Sequence, residues 1–351
     1  MKIIVMPLYG IGDALMSTPS LRNIKENLNA HITYLHMFTA TRDILKNNPY
    51  VDEHFHFPFL STSKIKGLRF LLSFRGKYDI SINFYPSNRR DYNLASFIIG
   101  CPVRIGHRYV RRDIRELNFL KNRTVKEDDS LHNVEENLRL LDFLGIKGKP
   151  YPLEIYLKEE EKESGISWLK DNGLFGHELI GIHPGSSLFK EGIKKRWPHE
   201  KFVELLRRLS DAYPQFSYLL FGGKEEISLR ETIRDASGLG RKVIVLDTNG
   251  IRETASIMRN SRLFITNDTG LMHMASSLQI PIVAIFAGHV RPWWLSPWAC
   301  KHKVVRLDVP CSPCYSYSPL SPICKIDDDY SCIRNIGVNE VFDAAVSLLK
   351  E

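Results

Sequence analysis

Three short stretches of the chain carry residue types and spacings that could do chemistry. The first, Tyr9-Gly10-Ile11-Gly12-Asp13, follows the apolar run Lys2–Pro7 and opens a helical pattern. Its glycines let a ligand approach the backbone, and Asp13 offers a carboxylate that could take the proton of an attacking hydroxyl. The competing reading is a helix-capping Asp, with the glycines serving only the turn. A helix N-terminus lowers a carboxylate pKa whereas a general base benefits from a raised one, so the two readings pull in opposite directions. A dinucleotide fingerprint needs a third Gly at position 15; Leu15 stands there, which disfavours such a cofactor.

The second stretch is His183-Pro184-Gly185-Ser186-Ser187, followed by Lys194-Lys195-Arg196-Trp197-Pro198. Small hydroxyl residues after a glycine expose N–H and Oγ groups to a phosphate, and a nearby Lys neutralises it. A solvated loop with an incidental basic cluster is the alternative. The third is Thr266-Asn267-Asp268-Thr269-Gly270-Leu271-Met272-His273, again between a strand and a helix. Thr269 and Gly270 place orphan N–H groups at a helix N-terminus, which favours an anion, while Asp268 suits sugar hydroxyls. A lone His such as His273 on a first helical turn usually caps or packs.

Four of the six cysteines, Cys311, Cys314, Cys324 and Cys332, fall close together. Four thiolates could hold Zn or Fe tetrahedrally and staple a loop-rich segment. The first pair has metal-knuckle spacing and the second does not; four reduced thiols, or one disulfide, is the other reading.

The elements that must position these stretches alternate strand and helix. Lys2–Pro7, His31–His36, Glu53–Phe57 and Tyr78–Phe84 read as strands, with helical patterns at Asp13–Asn27, Ala40–Asn47 and Ile65–Arg75. The alternation restarts at Leu179–His183 and runs to Pro281–Phe286, with a final helix over Val338–Leu349. The expected fold class is therefore α/β, two doubly wound Rossmann-like domains, 1–172 and 173–351, with ligands at the carboxyl ends of the strands in an interdomain cleft.

Composition agrees with an ordinary globular protein: 43% hydrophobic and 25% charged residues exclude disorder, collagen and coiled coil. Net charge is +8, and Lys64–Lys126 alone carries 15 basic and 4 acidic residues, +11, so the remainder sums to −3. A local anionic partner fits that distribution better than general nucleic-acid coating. No window is long and apolar enough for a membrane span or a signal peptide, so a cytoplasmic protein is expected.

Taken in order, the motifs resemble glycosyltransferase family 9, the ADP-heptose:lipopolysaccharide heptosyltransferases. The likeness runs through Gly12-Asp13, Thr18-Pro19-Ser20-Leu21, Asn48-Pro49-Tyr50-Val51-Asp52-Glu53 and Arg104-Ile105-Gly106. It continues through His183-Pro184-Gly185-Ser186-Ser187, Lys195-Arg196-Trp197-Pro198, Phe221-Gly222-Gly223 and Asn267–Ala275. The resemblance implies a GT-B fold and inverting transfer of a heptose from an ADP-sugar to an acceptor hydroxyl in the lipopolysaccharide inner core. It makes Asp13 the catalytic base and puts Ser186, Ser187 and Lys195 on the diphosphate. Glu225 or Glu226 would hold the adenosine ribose, and Asp268, Thr269 and Gly270 the sugar and diphosphate, with Gly12 and His273 beside them. It implies no cofactor for catalysis, while iron ligation in some protein-modifying members bears on the cysteines. An acceptor on a secreted adhesin or autotransporter protein, and a non-catalytic nucleotide-sugar-binding scaffold, are the alternatives.

One departure stands out. Where the family continues Gly-Pro-Thr after Phe286, this chain has Ala287-Gly288-His289-Val290, which puts the donor sugar in question. The basic segment is expected to hold an anionic acceptor through Arg104, Arg108, Arg111 and Arg112, since Arg suits bidentate carboxylate and phosphate contacts. Action at the cytoplasmic face of the inner membrane, with peripheral contact and no nucleic acid, completes the expectation.

Overall fold

The computed structural model describes residues 1–6, 10–186, 189–315, 317, 324, 326 and 330–351, with side chains for all of these except 189–191. Two compact units result: Met1–Tyr156 with Ser316–Leu320, and Leu157–Tyr315 with Ser321–Glu351.

The first unit has six strands, β1 (Lys2–Val5), β2 (His31–His36), β3 (Glu53–His56), β4 (Ile80–Ile82), β5 (Val103–Arg108) and β6 (Arg123–Lys126). Its helices are α1 (Ile11–Met16), α2 (Thr18–Asn27), α3 (Thr39–Leu45), α4 (Lys64–Leu72), α5 (Arg90–Ile99) and α6 (Asn133–Arg139). The second unit holds β7 (Glu178–His183), β8 (Phe216–Leu220), β9 (Val243–Val245), β10 (Leu263–Asn267), β11 (Ile282–Ile285) and β12 (His302–Val305). Around them lie α7 (Glu159–Asp171), α8 (His199–Ala212), α9 (Ile227–Ser237), α10 (Ile251–Met258), α11 (Gly270–Ser277), α12 (Pro292–Leu295), α13 (Ser331–Arg334) and α14 (Val338–Lys350).

Every ladder is parallel. The orders are β3-β2-β1-β4-β5-β6 and β12-β11-β10-β7-β8-β9, the doubly wound order in both units. Such sheets reverse their winding at one point, between β1 and β4 in the first and between β7 and β10 in the second. Backbone loops diverge there at the carboxyl ends of the strands. All three candidate stretches follow one of these switch-point strands.

The strands are apolar because helices cover both faces. Ile180, Ile182, Leu220, Ile265 and Ile285 are buried together with Phe202, Leu206 and Leu209 of α8 and Val341 and Ala345 of α14. In the first unit Ile4 and Leu35 pack with Leu71, Phe74 and Ile99.

Three expectations change in detail. The helix expected over Asp13–Asn27 is two helices, because Pro19 cannot continue the first ladder but is tolerated in the first turn of the second. Strands β5, β6 and β12 were not expected. The boundary placed at 172 moves to 156/157, since α7 belongs with the second unit. There Gly165 lies so close to α10 that a Cβ would overlap the Ser256 carbonyl, and Arg252 of α10 pairs with Glu161.

Candidate active site

In the second unit the loop after β7 is built around a buried carboxylate. Glu226, just past β8, is 4% exposed. Its Oε1 accepts from the Ser186 N–H (2.7 Å) and from Arg196 Nη2 (3.0 Å). Oε2 accepts from the Gly223 N–H and from His183 Nε2, both at 3.1 Å. Burial alone would push this carboxyl up; the His183, Gly223 and Arg196 donors outweigh it and hold it below the usual range. The same carboxylate explains Gly185, where any Cβ would overlap the Glu226 oxygens.

This geometry separates residues that sequence had grouped. Glu226 is spent inside the fold, so of the two ribose candidates only Glu225 is exposed. Ser186 is also turned inward: its Oγ donates to the Gly192 carbonyl (2.8 Å) and accepts from Arg196 Nε (3.1 Å). With its N–H on Glu226, Ser186 shapes the loop rather than presenting donors to a phosphate. Ser187 lies outside the described residues.

Around the switch point, Asn267 at the end of β10 ties three elements together. Its Nδ2 donates to the Pro184 and Gly185 carbonyls (2.9 and 3.0 Å), and its Oδ1 accepts from the Trp197 N–H (3.1 Å). Trp197, 1% exposed, donates Nε1–H to the Ile336 carbonyl (3.0 Å). In Lys195-Arg196-Trp197-Pro198, Arg196 and Trp197 thus anchor the segment and Lys195 is aimed elsewhere. Lys195 and Asp268 face each other electrostatically. Burial lowers the Lys195 ammonium, opposed by Asp268 and Cys314. Burial pushes the Asp268 carboxyl up to about 6, with Lys195 restraining it. Each partner is pushed toward its neutral form by burial and held back by the other, and an anion beside Lys195 would favour its cation further. Thr269 is the N-cap of α11, and its Oγ1 lies 3.1 Å from His183 Nδ1. Gly270 begins the helix, and a helix N-terminus favours an anion through its first N–H groups and its dipole. His273 is 4% exposed, packed into the same helix.

In the first unit Asp13 occupies the third position of α1 and its Oδ2 accepts the Gly10 N–H at 3.2 Å, with Gly12 buried beside it. Asp13 therefore closes the turn from the third helical position, while the N-cap itself is Gly10 and not the Asp13 that one reading put there. Asn83, just past β4, is fully buried, and both its amide atoms lack a hydrogen-bond partner among the described residues, a feature that no sequence pattern signals.

The arginines expected to hold an acceptor are mostly committed to the fold. Arg104 donates to the Leu120 and Cys101 carbonyls (2.8 and 2.7 Å). Arg108 pairs with Asp113, and Arg112 with Glu116 at 3.0 Å. Arg111 and Arg115 are exposed. Gly106 of the Arg104-Ile105-Gly106 motif has a packing role, since a Cβ there would come 2.5 Å from the Lys121 stem.

The four clustered cysteines are free thiols, as are Cys101 and Cys300. Burial, and behind it the neighbouring Cys311, Cys332 and Cys324, push the Cys314 thiol up. Among the described residues, no three His, Cys, Asp or Glu side chains converge closely enough to hold a metal ion. The expected Zn or Fe ligation thus has no ligand geometry behind it.

The sequence profile of glycosyltransferase family 9 (heptosyltransferase) matches residues 71–322. The chain belongs to this family. This family 9 glycosyltransferase is 27% identical, over all of its own length and 99% of the other's, to lipooligosaccharide heptosyltransferase 2 of Campylobacter jejuni. A glycosyl transferase family 9 structure from Veillonella parvula superposes with a TM-score of 0.80 at 24% identity, covering 99% of this chain and 97% of that one. The E. coli ADP-heptose lps heptosyltransferase II gives 0.74 at 22% identity, covering 100% and 99%. The family 9 enzyme thus has the α/β, two-unit GT-B fold of these relatives, and no described helix is long and apolar enough to cross a membrane.

Proposed function

We propose that the enzyme transfers a heptose from ADP-heptose to a hydroxyl of the lipopolysaccharide inner core, with inversion at the anomeric carbon. The observation that carries the donor half is the Lys195–Asp268 pair set beside the open N-terminus of α11. Direct displacement needs stabilisation of the diphosphate as it leaves. Lys195 and the Thr269–Gly270 N–H groups supply it, Asp268 accepts from sugar hydroxyls, and Glu225 is the acid for the ribose. Asp13 takes the proton of the attacking hydroxyl as the bond to the anomeric carbon forms and the bond to the diphosphate breaks. Support for heptose and for lipopolysaccharide comes from the names of the relatives above.

The test is ADP release from ADP-heptose with and without a core acceptor. Release that depends on lipopolysaccharide acceptor is expected; release only with a protein acceptor, or binding without turnover, would replace this reading. Asp13→Ala should lower the rate by about 10²–10⁴-fold while ADP affinity stays within about threefold. A variant retaining more than about a tenth of the wild-type rate removes Asp13 as the base.

A further inference from the structure

The chain leaves β11 at Ile285 and runs through Phe286, Ala287 and Gly288 to His289. β11 pairs with β10 in the register Asn267↔Ile285, and the Asp268 N–H donates to the Ile285 carbonyl at 3.2 Å. The two loops therefore leave the sheet edge side by side. Along that edge, Glu225 follows β8, the Lys195 and Thr269–Gly270 groups follow β7 and β10, and His289 follows β11. A nucleoside diphosphate sugar laid with its ribose at Glu225 and its phosphates at the switch point brings its sugar to the β10–β11 side.

His289 is 3% exposed, and its Nδ1 is buried without a hydrogen-bond partner among the described residues. Its carbonyl accepts the Tyr315 N–H at 2.9 Å, and the two rings meet edge to face at 6.4 Å. Lys195 Nζ lies 5.6 Å from the centroid of that same Tyr315 ring. Beneath the loop, a Cβ on Gly288 would come 2.7 Å from Val309 and 3.1 Å from Cys332, so these two side chains pack against its backbone. Native folds rarely leave a buried ring nitrogen unpaired, and a ligand group is one reason to do so. Burial, then the Lys195 charge, hold the imidazole well below its usual range against the Ala287 carbonyl. A neutral ring nitrogen suits a hydroxyl, which can donate or accept, better than it suits a phosphate.

We propose that His289 hydrogen-bonds a hydroxyl of the donor sugar and helps select that sugar, an inference that rests on the nucleotide-sugar reading above. Calorimetric titration of the full chain with ADP and with ADP-heptose tests it, using wild type, His289→Ala and His289→Asn. In His289→Ala, ADP affinity should stay within about twofold while ADP-heptose affinity falls by about tenfold. His289→Asn, which keeps a polar atom near the Nδ1 position, should recover part of the loss. The preference for ADP-heptose over ADP-glucose in ADP release should narrow in His289→Ala. Equal losses for ADP and ADP-heptose, or no loss for either, overturn the role. Should His289→Ala melt too early to titrate, His289→Gln is read by the same ratio and the same two outcomes decide. Wild-type protein that binds neither ligand removes the nucleotide-sugar reading with it, whereas wild type that binds both beside indifferent His289 variants removes this inference alone.

Discussion

Asp268 shows how a side chain proposed for binding can be unfavourable for folding. Its folded value of about 6 lies above the ordinary 3.8, so the folded chain holds that proton more tightly than the unfolded one. The stability this gives is fully present below the lower value and is lost as pH rises through 6. Asp268→Asn should therefore stabilise the ligand-free protein near pH 7.5 by up to about 3 kcal/mol, and the gain should vanish toward about pH 4. Calorimetric melting across that range checks the sign; a gain independent of pH would mean the Asp268 carboxyl is not raised. The same variant should weaken ADP-sugar binding more than ADP binding. Asp268 and Lys195 were legible because their types and motif positions already suggest charge. The inward turn of Ser186 and Glu226 was not, since nothing in Lys224-Glu225-Glu226 says which acid meets Arg196 and His183. That choice is made by residues some 40 positions apart, at Gly185, Ser186 and Glu226.

At the level of elements, the apolar strands at both switch points could be read from sequence because they are buried on both faces. β5 could not: Val103-Arg104-Ile105-Gly106-His107-Arg108 interrupts its apolar positions with charge. The fold tolerates this because Arg104 bonds backbone carbonyls, while His107 is buried 3.3 Å from Glu136. The helix α7 lies in the second unit rather than before a boundary at 172, because Gly165 and Leu169 on its otherwise charged surface form a buried seam. Gly165→Ala must push α7 from α10, and the overpacking should cost about 1–3 kcal/mol in chemical denaturation. ADP affinity should stay within about twofold, since the seam lies on a helix pair that bears none of the proposed contacts. An unchanged midpoint would show that the two helices part freely.

Across the whole molecule, charge and covalent connection are distributed unevenly. The +11 segment falls entirely in the first unit, yet Arg104, Arg108 and Arg112 are engaged within it. Attraction of an anionic acceptor would then fall to exposed Arg111 and Arg115 and to the unit's net field. Raising salt from about 0.1 M to 1 M shrinks the Debye length from about 10 to 3 Å, so acceptor KM should rise while donor KM moves less. Neutralising Arg111 and Arg115 together should flatten that dependence; an acceptor KM unchanged in the double variant would leave the charge as a solvated face. The first unit also holds a residue from far along the chain, Tyr317. Asn88 Nδ2 donates to the Tyr317 carbonyl at 2.8 Å, the Tyr317 hydroxyl donates to Asn133 at 3.1 Å, and its ring meets Tyr85 at 5.0 Å. Tyr317→Ala should therefore speed amide hydrogen exchange around residues 83–88 and 133–137, and exchange unaltered there would detach Tyr317 from that unit. On the ribosome, where domains tend to fold as they emerge, the half synthesised first gains its Tyr317 contacts only after most of the second half has been made. Translation speed through the second half thus sets how long a newborn chain carries an unfinished first domain, the interval in which a chaperone would find it.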